Sequence, residues 1–117
     1  MSETETDCLF CRIVAREVPA EVVHETDTTL AFRDIAPHAP VHVLVVPKEH
    51  RPTVVEMARD NPAVLAAVML AAGDVARSEG LEQGYRLVVN TGPDAGQTVF
   101  HTHVHLLGGR AMTSPMA

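Results

Sequence analysis

Apolar and polar positions alternate along most of this chain, and the period of the alternation divides it into elements. "EVVHET" and "TLAFRD" repeat at a spacing of two and predict two strands joined near Asp27 and Thr28, with Val22, Val23, Leu30 and Phe32 as buried positions. "VHVLVVP" is a stronger strand, rich in β-branched residues and ended by Pro47. His42, Leu44 and Val46 share one of its faces, and Val41, Val43 and Val45 the other. The period then lengthens. Asp60 or Asn61 can cap a helix that has Pro62 in its first turn, runs from Ala63 to about Ser78 and stops at Gly80. Val64, Val68, Ala71 and Val75 form one apolar stripe on it; Leu65, Met69 and Ala72 form a second. One stripe suits a sheet. The other suits either a subunit interface or a wider core face.

"YRLVVN" (Tyr85–Asn90) predicts a further strand, "TGPDAGQ" a turn region, and "TVFHTHVHLLG" (Thr98–Gly108) the last strand. "CLFCRIVAREVPA" at the other end reads as a short helix and a loop stopped by Pro19, and "IAPHAP" as a proline-bounded loop. Strands, then a helix, then strands, without regular alternation, predict an α+β fold. Its antiparallel sheet has about five strands, with one long helix and a short N-terminal helix. With 117 residues there is room for one core, so residues 8–117 are expected to form one domain behind a polar tail, 1–7.

Composition narrows the chemistry. A net charge of −6 argues against a nucleic-acid backbone or an anionic membrane surface as the main partner. No stretch approaches the roughly 18–20 apolar residues of a membrane span. The acidic start, "MSETETD", is unlike a secretory signal, so a cytoplasmic location is expected, with Cys8 and Cys11 as reduced thiols.

Three of the seven histidines fall at alternate positions in "FHTHVHLLGG": His101, His103 and His105. On one strand they would share a face, leaving Thr102, Val104 and Leu106 to pack on the other. Imidazoles in a row are costly to bury without partners. They suit metal ligation, or acid–base and nucleophilic chemistry near neutral pH. A merely solvated histidine face is the plainer alternative, and His24 and His38, each standing alone, are read as ordinary residues. Just upstream, Gly96, Gln97 and Thr98 offer a glycine turn and a hydroxyl, a fair cradle for phosphate beside the imidazoles.

"QTVFHTHVHLLGGR" resembles the His-x-His-x-His signature of the histidine triad (HIT) hydrolases. "AFRDIAPHAPVHVLVVPKEH" and "GYRLVVNTGPDAGQ" resemble the same family's other blocks in order and spacing, from about Cys8 to Arg110. The trailing "GGR" looks most like the HINT branch, the purine nucleoside phosphoramidases. The resemblance implies a HIT-like fold and a two-step nucleotidyl transfer. His103 would attack the α-phosphate of a purine nucleoside 5′-phosphate derivative and form a nucleotidyl-histidine that water hydrolyses. His105 and Thr98 would contact the phosphate, with the backbone near Gly96 and Gln97 alongside, and His42 would join from a neighbouring strand. Asp34 matches the residue that holds the ribose hydroxyls, Ile35 one that packs near the base, and Asn90 one that positions sugar and phosphate. Covalent division of the displacement needs no metal. Thr98 stands where many HINT proteins carry Ser, and the tail "AMTSPMA" lacks the Trp that some place near the leaving group.

Cys8 and Cys11 form a Cys-x-x-Cys hook with room for two more ligands. The resemblance supplies His50, in "VPKEH", and His101, for a structural zinc that would tie the N-terminus to the final strand. Two buried thiols, or a redox pair, are the alternatives. A phosphoramidase, with a homodimer formed through the long helix and an adjacent strand, is the leading expectation. A dinucleoside polyphosphate hydrolase, a zinc-stabilised nucleotide-binding regulatory module and a metal-storage domain compete with it.

Overall fold

In the computed structural model, which describes residues 7–112, the β-branched run Val41–Pro47 (β3) is the centre of a five-stranded antiparallel sheet. Val22–Glu25 (β1) and Thr29–Arg33 (β2) form a hairpin on one side of it; Val104–Gly108 (β5) and then Arg86–Val88 (β4) lie on the other. The expected tail 1–7 falls, apart from Asp7, outside the described residues.

The two faces of β3 work as their alternation requires. Val43 and Val45, with Ala31, Val104 and Leu106, pack against the long helix Pro62–Ser78 (α3) through Val68, Ala71, Ala72 and Val75. Leu44 and Val46, with Leu30 and Phe32, face the opposite way and are covered by Phe10, Cys11 and Ile13 of the short helix Leu9–Val14 (α1). α1 covers only part of that face, and the open remainder is the cleft described below. Val22 and Val23 are half-buried. The second helix stripe does not act as a unit: Ala72 joins the core, Leu65 is half-buried and Met69 is exposed.

Three elements depart from the expectations. The last strand begins at Val104 rather than Thr98. Val45 pairs with Val104, so His103 and Thr102 would have to pair next with Val46 and Pro47. Pro47 has no N–H for a ladder, and Thr102 donates instead to the Arg51 carbonyl at 2.7 Å. β4 keeps only the middle of the expected Tyr85–Asn90. A helix at Val54–Asp60 (α2) was not anticipated. It buries only Met57, so its apolar signal is weak, but Thr53 and Glu56 form a capping pair in which Thr53 accepts the Glu56 N–H at 3.3 Å. No helix among the described residues is long and apolar enough to cross a membrane.

Candidate active site

Backbone carbonyls and amides around the histidines fix which ring nitrogen carries each proton. His103 Nδ1 lies 2.7 Å from the His101 carbonyl, which can only accept. The proton is therefore on Nδ1, and Nε2 keeps its lone pair. His42 Nδ1 accepts the backbone N–H of His38 at 3.0 Å, so the His42 proton sits on Nε2. That nitrogen is 2.9 Å from His105 Nδ1 and donates to it. His105 is left with its proton on Nε2. Its ring centroid lies 5.1 Å from that of His103. The sequence reading of His38 as an ordinary residue missed this role. It belongs to the backbone amide, and only the proline-bounded loop around it hinted that the chain is held in place there.

Burial keeps these imidazoles neutral. Desolvation lowers the pKa of His103 and of His42, outweighing the opposing pull of the Asp34 carboxylate on each. His105 is pushed down to about 4, chiefly by burial and then by the neighbouring imidazoles of His103 and His42.

The rings open into a cleft of about 610 Å³, within the range of small-molecule sites. His42, His103 and His105 share its wall with Asp34, Ile35, Asn90 and Thr98, contributed by separate parts of the chain. Ile35 is fully exposed at the rim. Asp34 accepts the Ala36 N–H through Oδ1 at 2.8 Å and places Oδ2 3.4 Å from His42 Nε2. Phe10 was not singled out from the sequence, yet its ring meets His103 edge-on at 5.0 Å. Its place between the two cysteines was the available signal.

Gly96 reaches the cleft, with φ +93° closing the turn after Pro93–Ala95. The loop at Gln97, expected from the sequence to lie alongside the phosphate, is bonded within itself. Gln97 is buried and latches the loop, its Oε1 accepting from Gly92 at 2.8 Å and its Nε2 donating to Pro52 O at 2.7 Å. The backbone N–H groups of Gly96 and Gln97 are taken by Pro93 O and Gly92 O. They close the turn. Thr98 remains the exposed donor there.

Cys8, Cys11, His50 and His101 come together beyond Phe10, all buried, with their ligand atoms within 4.8 Å of one another. His101 Nδ1 lies 3.3 Å from Cys8 Sγ, 3.5 Å from Cys11 Sγ and 3.2 Å from His50 Nδ1. A tetrahedron with Zn–N near 2.05 Å and Zn–S near 2.3 Å has edges of roughly 3.3–3.8 Å, so this donor set fits such an ion. His101 Nε2 donates to Pro47 O at 2.8 Å, which turns the Nδ1 lone pair toward the thiols. Asp34, His42 and His105 also converge. They do not suit a metal, because the nitrogen that His42 turns toward the cluster is the protonated one.

The HIT domain model matches residues 15–112. The chain belongs to the HIT domain family. An uncharacterised HIT-like protein of Synechococcus elongatus is 50% identical over 109 residues, 93% of this chain and 96% of the relative. The purine nucleoside phosphoramidase of Escherichia coli is 40% identical over 112 residues, 95% of this chain and 94% of that one. A HIT family hydrolase from Clostridium thermocellum superposes with a TM-score of 0.93 at 46% identity, covering 97% of this chain and all of the other.

Proposed function

We propose that this chain is a HIT-type nucleotide hydrolase that cleaves the phosphorus–nitrogen bond of nucleoside 5′-phosphoramidates. The observation that carries the reading is the tautomer of His103. Its Nδ1 proton is committed to the His101 carbonyl, so a neutral Nε2 lone pair remains as nucleophile in the cleft. Nε2 attacks the α-phosphorus, the phosphorus–nitrogen bond breaks, and the amine leaves with a proton drawn from solvent, which the hydrolysis step returns. Water then attacks the phosphorus of the nucleotidyl-histidine, releasing a nucleoside monophosphate and restoring neutral His103.

The Nε2–H of His105, fixed by His42, and the Thr98 hydroxyl donate to the phosphate oxygens. Asp34 takes the ribose hydroxyls, Asn90 steadies sugar and phosphate, and a purine covers the exposed Ile35. Cys8, Cys11, His50 and His101 hold a structural zinc that supplies no step of the reaction. A reducing, cytoplasmic setting keeps its thiolates competent. Two copies pair as a homodimer. The relatedness to the Escherichia coli phosphoramidase supports the choice of bond.

The test is AMP release from adenosine 5′-phosphoramidate, with a diadenosine polyphosphate alongside and His103→Ala as control. Turnover of the phosphoramidate should be the faster and should depend on His103. A preference for the dinucleotide would keep the nucleophile and change the substrate. AMP binding without turnover of either would leave a nucleotide-binding module.

A further inference from the structure

We infer that the Cys8–Cys11 pair is an oxidation site that controls the catalytic cleft through Phe10 and His101. The inference rests on the nucleotide reading only for the ligand used in one arm of its test.

Two direct links join the thiols to the nucleophile. The first runs through the backbone. His101 offers Nδ1 to the thiols at 3.3 and 3.5 Å, and its carbonyl holds the Nδ1 proton of His103 at 2.7 Å. Loss of the thiols removes one anchor of the His101 ring and leaves its Nε2 donation to Pro47 O, in the residue whose carbonyl sets the His103 tautomer. The second runs through α1. Phe10 lies between the two cysteines and meets His101 at 5.9 Å and His103 at 5.0 Å between centroids. Leu9, Phe10 and Ile13 of the same helix line the cleft. The side chains that anchor α1 at Cys8 and Cys11 therefore also hold a cleft wall in place.

The pair can be reached and can be oxidised. Cys11 is 1% exposed, but Cys8 is 8% exposed and lines an outer groove with Asp7, His50, Pro52 and Phe100. Thr98 lines both this groove and the cleft. The two Sγ atoms lie within 4.8 Å of each other, in a Cys-x-x-Cys spacing that forms a disulfide once the side chains close that gap.

The co-reactant is a peroxide. The Cys8 thiolate attacks one peroxide oxygen, the O–O bond breaks, and a sulfenic acid and hydroxide form. The Cys11 thiolate then attacks the Cys8 sulfur, the S–O bond breaks, and a second hydroxide leaves. Two thiolates have lost two electrons in forming one S–S bond, and the peroxide has gained them. A zinc ion held by Cys8, Cys11, His50 and His101 would lose both thiolates and leave as the divalent ion, which would balance the two hydroxides.

The experiment uses the full chain loaded with zinc and titrated with hydrogen peroxide. Four readings are taken together: zinc release to a chromogenic chelator, intact mass, the ring signals of His103 and Phe10 by NMR, and AMP affinity by calorimetry. The expected result is release of zinc in step with one disulfide, displaced His103 and Phe10 signals, and AMP binding weakened about tenfold. Dithiothreitol with added zinc should reverse all four. A disulfide that forms while the His103 and Phe10 signals stay in place would overturn the coupling, and thiols that survive peroxide would overturn the oxidation site. If the reduced protein binds no AMP, the nucleotide reading fails, and the ring signals still decide the coupling. Cys8→Ser should be inert to peroxide by mass and by ring signals. Should Cys8→Ser fail to fold, Phe10→Leu, with both thiols retained, should still form the disulfide but move His103 less.

Discussion

At the scale of single residues, the cleft is a set of proton assignments made by the backbone. His38 N–H, His42, His105 and the His101 carbonyl settle which nitrogens donate and which accept before any ligand arrives. This has a measurable pH consequence. A proton on His103 Nε2 removes the nucleophile, so activity falls as pH falls through the pKa values of the free cleft. Burial lowers those of His42 and His103, and brings that of His105 to about 4. The acid limb of kcat/KM, which reports the free enzyme, should therefore lie below the ordinary histidine value of 6.5. Its midpoint belongs to the coupled set rather than to one ring. A limb centred at or above the ordinary value in a pH–rate profile would contradict the burial argument. His42→Leu removes the donor to His105 Nδ1 and lets that ring turn. The expected loss in kcat/KM is about 10²-fold, with the fold intact by circular dichroism.

At the scale of elements, what was legible in the sequence tracks how far each signal is local. The β3 alternation and the first α3 stripe report burial on their own faces, and both faces of β3 pack as read. The triad strand was over-extended because its end is set by Pro47 on a neighbouring strand, which no local period records. α2 was missed because one buried Met57 gives no stripe; its Thr53–Glu56 cap was the only local mark. Of the site, side-chain chemistry was legible: His42, His103, His105, Thr98, Asp34, Ile35 and Asn90 all reach one cleft. The His38 amide and the Gln97 side-chain latch were not, since neither has a sequence signature. Gly109 illustrates an element join with a testable cost. It follows β5 at φ +96°, and a Cβ there would lie 2.9 Å from Pro40 Cβ. Pro40 belongs to the loop whose His38 amide fixes His42. Gly109→Ala should cost about 1–3 kcal/mol, read as a lower midpoint in urea, and should reduce activity beyond the loss of folded protein.

At the scale of the whole molecule, the two edges of the sheet differ, and that difference argues for pairing. The β1 edge is blunted by a register shift between Val22 and His24 and by Glu25, which binds Arg16 at 2.6 Å and Lys48 at 2.7 Å. The β4 edge ends the order β1-β2-β3-β5-β4 and carries three ladder residues, although the apolar pattern runs on through Val89. Tyr85 and Val89 flank it, exposed, and Met69 and Leu70 are exposed on α3. A second copy that added its own β4 across a two-fold axis would extend the sheet and cover the exposed Tyr85 and Val89. Of the second helix stripe only Met69 is left exposed, because Ala72 is already spent in the core. Sedimentation equilibrium at micromolar concentration should return twice the chain mass of 12.6 kDa. Val89→Glu places a like charge on both copies of the edge and should shift the population toward monomer, with a steeper effect at low salt. A wild-type chain that sediments only as monomer would leave the β4 edge a solvent-facing strand and remove the second copy from the proposed assembly.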